Sequence, residues 1–136
     1  MAKETPRAKA LRLLQKMARM KEVNDLGYGE CVSCGKTVHW KEADGGHYLP
    51  KGASSYWALD ERCVHLQCKG CNGFGMKFGT SAQRYTIWMQ DMYGSNFVKD
   101  MLATKNTIHK LYKADYDEMI KKFNEEIKIQ KTRLGD

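Results

Sequence analysis

The chain of 136 residues is 42% hydrophobic and 29% charged, the balance of an ordinary globular protein with one domain. No apolar stretch approaches the roughly 20 residues needed to cross a bilayer. The N-terminus also lacks the apolar h-region of a secretory signal peptide. We therefore expect a soluble intracellular protein in the cytoplasm, without a membrane partner. The formal net charge of +7 is typical of proteins that bind nucleic acids.

The first predicted segment, residues 1–28, is a basic helix. Thr5 suits the N-cap and Pro6 the first helical position. The helix is expected to end near Asn24. Up to that residue the segment carries seven basic and two acidic side chains, so it accounts for +5 of the net charge. This basic face either is only solvated or contacts the DNA backbone.

The second segment, residues 29–94, is rich in Gly, Cys, His and aromatic residues. Helical periodicity is absent from most of it until a helix that Ser81 should cap. Before that helix we expect three short strands, at 37–40, 46–49 and 63–66. A long loop is expected over 51–60. So irregular a segment buries little core, and a bound metal is the usual substitute.

The third segment, residues 95–136, is predicted to be helical. A short helix is expected over 95–105. Asp115 followed by Glu118 resembles a capping box for a second helix that reaches Leu134. The apolar stripe of this second helix is broad enough to pack on the domain or on a second copy of the chain. The predicted fold class is therefore α+β, with a small metal-stabilised core flanked by N-terminal and C-terminal helices.

Four of the five cysteines form two pairs, Cys31-x-x-Cys34 and Cys68-x-x-Cys71, and Cys63 is left over. Zinc prefers four thiolate or imidazole ligands in a tetrahedron, and each CxxC turn supplies two sulfurs on one side of the metal. The pattern therefore predicts one structural Zn²⁺ ion. The alternatives are four unconnected buried cysteines or a redox-active CxxC, and the absence of a βαβ pattern argues against the second.

Between and beside the cysteine pairs lie residues suited to phosphodiester hydrolysis. A neutral histidine can deprotonate a water near pH 7, and His47 follows two glycines. Hard oxygen ligands suit Mg²⁺ or Mn²⁺, and Asp44 and Asn72 could supply them. His65 either points at the same site or is a packed, hydrogen-bonded histidine. These residues are the candidate catalytic group.

The motifs CxxC, GGHY and DERCVHLQCKGCNGF resemble the NinG/Rap recombination nucleases of lambdoid phages, within the HNH or ββα-metal superfamily. Their spacing is also similar to that of phage T4 endonuclease VII, a Holliday-junction resolvase. The resemblance covers residues 30–94. It implies a β-hairpin followed by a helix that grips Mg²⁺ or Mn²⁺, with His47 as the general base and Asn72 as a ligand of the catalytic metal. It also implies that the four paired cysteines bind zinc.

Two positions depart from the pattern of this superfamily. Gly46 stands where many HNH enzymes have Asp immediately before the histidine, which leaves Asp44 as the nearest carboxylate. Cys63 aligns with an Asn that normally orients the catalytic histidine. We therefore expect a backbone carbonyl or His65 to hold His47 instead.

The sequence thus predicts a metal-dependent endonuclease that acts on branched recombination intermediates, in the host cytoplasm if a phage encodes the chain. Cutting two strands requires two active sites, so a homodimer joined by the helix over 115–134 is expected. Tyr48, Tyr56 and Trp57 either stack on exposed bases or are buried. The alternatives are a non-catalytic zinc-dependent DNA-binding module and an HNH nuclease acting on ordinary duplex DNA. The predicted phosphate contacts are Arg7, Arg12, Lys16, Arg19, Lys51, Lys69, Lys77 and Arg84.

Overall fold

Helix α1 (Pro6–Lys21) lies at the centre of the computed structural model, which describes residues 3–52 and 54–136. As predicted, Thr5 caps it, since its hydroxyl accepts the backbone N–H of Ala8 at 3.1 Å. The helix ends slightly before the expected position because Asn24 forms a turn of its own, in which its side-chain oxygen accepts two backbone N–H groups. The first two residues of the predicted segment 1–28 lie outside the described residues.

The strands form two separate antiparallel pairs. Strand β1 (Tyr28–Glu30) pairs with β2 (Thr37–His39), and β3 (Ala43–His47) pairs with β4 (Val64–Cys68). The sequence did not predict β1, which is too short to show a period. Strand β3 begins and ends earlier than the predicted 46–49, because its two glycines hide the strand signal. The predicted loop 51–60 contains turns where it is described, and Ala53 within it lies outside the described residues.

A helical segment, residues 69–78, follows β4 without a break. It contains a π-helical turn (Cys71–Gly75) and ends in the short helix α2 (Met76–Phe78). Gly75 allows the segment to approach the next helix closely, since a Cβ atom there would collide with the Ser81 hydroxyl.

Three further helices complete the chain: α3 (Ser81–Tyr93), α4 (Ser95–Ala103) and α5 (Lys113–Leu134). Thr80, and not the predicted Ser81, occupies the N-cap position of α3. The predicted pairing of Asp115 with Glu118 at the start of α5 is also wrong. Asp115 is instead the third helical residue, and its carboxylate accepts the backbone N–H of Tyr112 at 2.8 Å. None of the described helices is long and apolar enough to cross a membrane.

One hydrophobic core joins all three predicted segments. Helix α1 packs against the β3–β4 pair and against α5. The apolar stripe of α5 is centred on Phe123 and Ile127, and both are buried in this core. The stripe predicted as a dimer interface therefore packs on its own chain, and the homodimer stays a prediction that needs another surface. The mixed α+β class is confirmed. The buried face of α1 consists of Ala10, Leu13, Leu14, Met17, Ala18 and Met20.

The end of α5 is attached to the end of α1 by Arg133. Its guanidinium donates to the backbone carbonyls of Met20 and Val23 at 2.8 and 3.1 Å, and it pairs with Asp25 at 2.8 Å. The Met20 carbonyl is one of the acceptors that a helix C-terminus leaves unsatisfied, and that of Val23 lies just beyond the end of α1. Arg133 therefore caps the C-terminus of α1, although it lies more than one hundred residues further along the chain.

We predict that Arg133→Ala lowers the free energy of unfolding by about 1.5–3 kcal/mol, the usual contribution of hydrogen bonds to a charged group. Urea denaturation followed by circular dichroism measures this change. Lys121→Ala, an exposed cation on the same helix, is the matched control and should change stability by less than about 0.5 kcal/mol. Equal stabilities for the two variants would contradict the capping role.

Candidate metal centre and surrounding residues

Two turns bring four cysteine sulfurs together. Cys31 and Cys34 lie in the turn of the β1–β2 hairpin, while Cys68 ends β4 and Cys71 begins the π-helical turn. All four sulfur atoms lie within 4.8 Å of one another, and those of Cys34 and Cys68 are 3.8 Å apart. Tetrahedral zinc with bonds of about 2.3 Å separates its sulfurs by about 3.8 Å. The four cysteines could therefore hold a zinc ion.

The first cysteine turn has the backbone of a metal-binding knuckle. Gly35 adopts a positive φ of 74°, and its N–H donates to the Cys31 carbonyl at 2.9 Å. The N–H of Cys34 points at the Cys31 sulfur at 3.5 Å. Burial raises the pKa of Cys31, but backbone N–H groups, including that of Cys34, outweigh it and lower the pKa to about 7. This sulfur is thus prepared to act as a thiolate ligand.

Buried hydrogen bonds fix this turn to the rest of the fold. The Ser33 hydroxyl donates to the Ser81 carbonyl at 2.8 Å and accepts from the Gln67 side chain at 3.0 Å. The N–H of Val32 donates to the carbonyl of Leu66 in β4 at 3.0 Å. The protein itself therefore holds the two halves of the cysteine cluster in place.

Asp44 and Asn72, the predicted ligands of the catalytic metal, meet directly. Asn72 Nδ2 donates to Asp44 Oδ2 at 3.0 Å, and Lys69 Nζ donates to Asp44 Oδ1 at 2.8 Å. Burial raises the pKa of Asp44. The hydrogen bonds from Lys69 and Asn72 and the nearby positive charges have a larger, opposite effect, so the pKa lies below its ordinary value. The carboxylate is consequently ionised at neutral pH.

Asp44 and Asn72 could together offer oxygen ligands to a magnesium or manganese ion. Asp44 offers a carboxylate, and a half-turn of the Asn72 amide would present its oxygen in place of its nitrogen. Mg²⁺ in proteins is commonly held by one or two such groups, with water completing its shell. The Lys69 ammonium already shows that this carboxylate attracts a cation.

His47 is held by a backbone carbonyl, one of the two partners expected for it. Its Nε2 lies 2.7 Å from the Ala58 carbonyl oxygen. Because a carbonyl only accepts, Nε2 carries the hydrogen and Nδ1 carries the lone pair. Nδ1 is buried and has no hydrogen-bond partner among the described residues. Burial lowers the pKa of His47 to about 4, so the ring is neutral at pH 7.

The structure does not bring His47 to the Asp44–Asn72 pair. His47 pairs with Val64 at one end of the β3–β4 ladder, and Cys68, beside the zinc cluster, lies at the other end. Four residue steps of a strand span about 13 Å. Asp44 and His47 are three residues apart on β3 and so point to opposite faces. The catalytic role of His47 stays a prediction.

Packing accounts for both glycines that precede His47. A Cβ atom on Gly45 would lie 2.7 Å from the Cα of Gln15 in α1. A Cβ on Gly46 would collide with the side chain of Gln67 on β4. The Asp that many HNH enzymes carry at this position therefore does not fit beside Gln67.

His65 takes the packed, hydrogen-bonded arrangement rather than an open one. Its Nδ1 lies 2.7 Å from the Glu22 carboxylate, and its Nε2 lies 2.9 Å from the Arg62 carbonyl and 3.1 Å from the Tyr93 hydroxyl. Its ring packs on that of Trp88, with the centroids 4.4 Å apart. Both nitrogens have partners, which favours the packed, hydrogen-bonded alternative for His65, and its catalytic role stays a prediction.

Cys63 lies in the core, outside the four-cysteine cluster. Its sulfur accepts the backbone N–H of Leu49 at 3.4 Å, just beyond the end of β3. Burial raises the pKa of Cys63 to about 11, so the thiol stays protonated and unreactive. Cys63 therefore fixes the beginning of the loop that follows His47.

Several predicted phosphate contacts have structural partners. Arg19 is half-buried and donates to the carbonyls of Trp40 and Ala43, so it attaches α1 to β3. Arg12 is exposed and pairs with Glu4 at 2.9 Å. Arg7 and Lys16 are half-buried, and Lys69 pairs with Asp44. Contact with DNA stays a prediction for all eight of these side chains. Those that are exposed are Arg12, Lys51, Lys69, Lys77 and Arg84.

Two of the three predicted stacking aromatics are buried. The Tyr48 hydroxyl lies 2.7 Å from that of Thr86, and the Trp57 indole donates to the Thr104 hydroxyl at 2.9 Å. Tyr56 is the exposed one, and its ring packs edge-on against that of Trp57. Tyr48 and Trp57 therefore support the core and do not offer a face to bases.

We predict one zinc ion per chain, detected by native mass spectrometry. Cys34→Ser removes an exposed ligand and should lower the zinc content to near zero. Cys63→Ser, the matched control, removes a cysteine outside the cluster and should keep the metal. Zinc retention in both variants would contradict the assigned ligand set.

We predict that His47 makes stability depend on pH. Its folded pKa of about 4 lies below the ordinary value of 6.5, so the unfolded chain binds the proton more readily between these values. The stability is therefore complete above about pH 6.5 and falls by about 3 kcal/mol as the pH drops to about 4. His47→Gln should flatten this part of the profile in urea denaturation.

The exposed His109→Gln is the control and should keep the native profile. Any zinc release at low pH affects all these chains, so the difference between the profiles isolates His47. An unaltered profile in His47→Gln would show that the buried ring does not control this pH dependence.

Comparison with known proteins identifies a family. A search of curated proteins and a search of solved structures found no significant match. The family model described as bacteriophage lambda NinG protein matches residues 3–133, nearly the whole chain. This confirms the NinG part of the predicted resemblance, while the likeness to HNH enzymes and to T4 endonuclease VII stays a prediction. The chain belongs to the bacteriophage lambda NinG protein family.

Proposed function

We propose that the chain is a zinc-stabilised, metal-dependent endonuclease of the HNH or ββα-metal kind that hydrolyses branched DNA. One observation carries the proposal: the side chains of Asp44 and Asn72, 28 residues apart, meet at 3.0 Å. Asn72 directly follows Cys71, so the zinc cluster fixes one of these two groups. A hairpin strand and the helical segment after it thus supply the oxygen donors from two sides.

Asp44 and Asn72 would hold the catalytic Mg²⁺ or Mn²⁺. When bound, such an ion polarises the phosphate and stabilises the leaving oxygen. The protein supplies an ionised carboxylate for it, since hydrogen bonds keep the pKa of Asp44 low. Lys69 neutralises this carboxylate in the free chain and lies close enough to contact a phosphate.

His47 is the proposed general base. The Ala58 carbonyl fixes the tautomer that leaves the lone pair on Nδ1, which is the form able to accept a proton from water. In the free chain this nitrogen is covered by protein, so it has to become accessible when substrate binds. The His47 variant therefore tests a different part of the proposal from the Asp44 variant.

The family and the surface support DNA as the substrate. The resemblance to NinG/Rap recombination nucleases implied branched recombination intermediates, and membership of the NinG family supports that expectation. Two exposed cations would contact phosphates: Lys77, on the helical segment that carries Asn72, and Arg84, in a cavity also lined by Cys31 and Cys34.

The second candidate is a non-catalytic, zinc-dependent DNA-binding module. The specific observation that favours it is the separation of His47 from Asp44 and Asn72 along β3. In such a module the Asp44–Asn72–Lys69 cluster would only attach the helical segment to the hairpin.

We predict that the protein with Mg²⁺ cleaves an end-labelled four-way DNA junction, analysed on denaturing gels. Asp44→Asn should reduce the rate by about 100-fold or more, because the metal loses its charged ligand, while zinc content and junction binding are retained. His47→Gln should reduce the rate similarly. Glu42→Gln, an exposed carboxylate just before β3, is the matched control and should cleave normally.

Junction binding without cleavage by the native chain would overturn the nuclease proposal and support the binding module. Equal cleavage of a linear duplex would indicate a nuclease for ordinary DNA. Full activity in Asp44→Asn would remove the proposed metal site.

A further inference from the structure

Two phenylalanine rings stand exposed on the helical segment 69–78. The side chains of Phe74 and Phe78 are 72% and 74% exposed, and their ring centroids lie 5.0 Å apart with a tilt of 43°. Neither ring belongs to the hydrophobic core of the described residues, whereas Met76 on the same segment packs against it. An exposed aromatic pair costs solvation free energy and is typical of a binding surface. The name aromatic platform is used here for Phe74 and Phe78.

The aromatic platform is held on a firm base. Cys71 places the start of the segment in the four-cysteine cluster, and Asn72 bonds to Asp44. Gly75 packs so closely on Ser81 that a Cβ atom there would collide with the Ser81 hydroxyl. The two rings therefore keep a fixed position on the same short segment that supplies the candidate metal ligand Asn72.

The charge around the aromatic platform favours nucleic acid over protein. Between residues 68 and 90 the sequence has three cations, Lys69, Lys77 and Arg84, and no acidic residue. Asp44 pairs with Lys69, so the remaining positive charge comes from Lys77 and Arg84. Flat rings next to cations match the two features of a nucleic acid, its base faces and its phosphates. A second copy of this chain would bring like charges together, which opposes self-association through this surface.

We propose that the aromatic platform stacks on an unpaired or splayed nucleobase at the branch point of the DNA. The proposal rests on the proposed function, because that function takes branched DNA as the substrate. In an intact duplex each base is stacked between two neighbours, whereas at a branch point the stack is interrupted, so a base there is splayed out at a lower free-energy cost. The aromatic platform therefore selects branched over linear DNA, beside the site proposed to cut it.

Binding of the full chain to a fluorescein-labelled four-way junction and to a linear duplex tests this selection. Fluorescence anisotropy is measured with Ca²⁺ in place of Mg²⁺, so that binding is separated from cleavage. The double variant Phe74→Ala and Phe78→Ala should weaken junction binding by about 10- to 100-fold and duplex binding by less than about twofold. A 2-aminopurine base at the branch point should change its fluorescence with the native chain and not with this variant.

The double variant Phe74→Trp and Phe78→Trp keeps two flat rings and should keep both signals. Ile129→Ala in α5, which alters another exposed apolar side chain, is the matched control and should bind as the native chain does. Zinc content and circular dichroism establish that the alanine variant is folded.

Native-like junction binding and 2-aminopurine signal in the alanine variant would overturn the proposal. An equal loss on junction and duplex would also overturn it, since the rings would then not select branched DNA. So would a native dimer that the alanine substitutions dissociate in sedimentation while DNA binding is unaffected, because the rings would then join two copies.

Cleavage with Mg²⁺ is assayed separately so that the two proposals fail in different ways. A native chain that binds the junction through the aromatic platform and does not cleave it contradicts the nuclease alone. Equal cleavage of the junction by the native chain and by the Phe74→Ala and Phe78→Ala double variant contradicts the platform alone. Failure of the native chain to bind the junction contradicts both.

Discussion

The convergence of four cysteine sulfurs is the constraint on which the other features of the site depend. It joins Cys34 and Cys68, 34 residues apart, and so closes a loop. The strands of this loop contribute Ala43, Val64 and Leu66 to the hydrophobic core, so the segment buries more apolar surface than its irregular sequence predicted. Asn72 follows the last of these cysteines, and so the position of its amide beside Asp44 is inherited from the cluster. Buried hydrogen bonds of Ser33 also attach the first cysteine turn to Ser81 at the start of α3 and to Gln67 in β4. A structural metal would thereby determine where a second metal can bind.

Helix α1 is basic, yet several of its contacts stabilise the fold. Its apolar face packs between the β3–β4 pair and α5, and Arg19 uses its charge on the carbonyls before and within β3. Arg133 returns a similar contact from α5 to the last turn of α1. Charge-assisted hydrogen bonds from Arg19 and Arg133 to backbone carbonyls thus attach α1 to the β3–β4 pair and to α5.

Side-chain chemistry was predictable from the sequence where spacing alone determines it. The CxxC pairs and the Thr5 cap belong to this class, whereas Asp44 and Asn72 were brought together by ligand chemistry and the family resemblance. The partner of His47 was only partly predictable, because a backbone carbonyl such as that of Ala58 has no signature in the residue types. The double glycine at 45 and 46 drew attention to His47, whereas close packing against Gln15 and Gln67 is the reason for both glycines. The α5 stripe looked equally suited to two partners, and only the three-dimensional packing distinguishes them.

Lys69 gives the Asp44 carboxylate a counter-ion that belongs to the chain itself. Without it, an ionised carboxylate at this surface would repel an approaching phosphate. With it, the pair is close to neutral at short range, so the chain can carry the acidic group that a divalent ion needs without a standing electrostatic barrier to an anionic polymer. A divalent ion bound at Asp44 would replace the ammonium, and the released lysine would remain nearby as an additional positive charge.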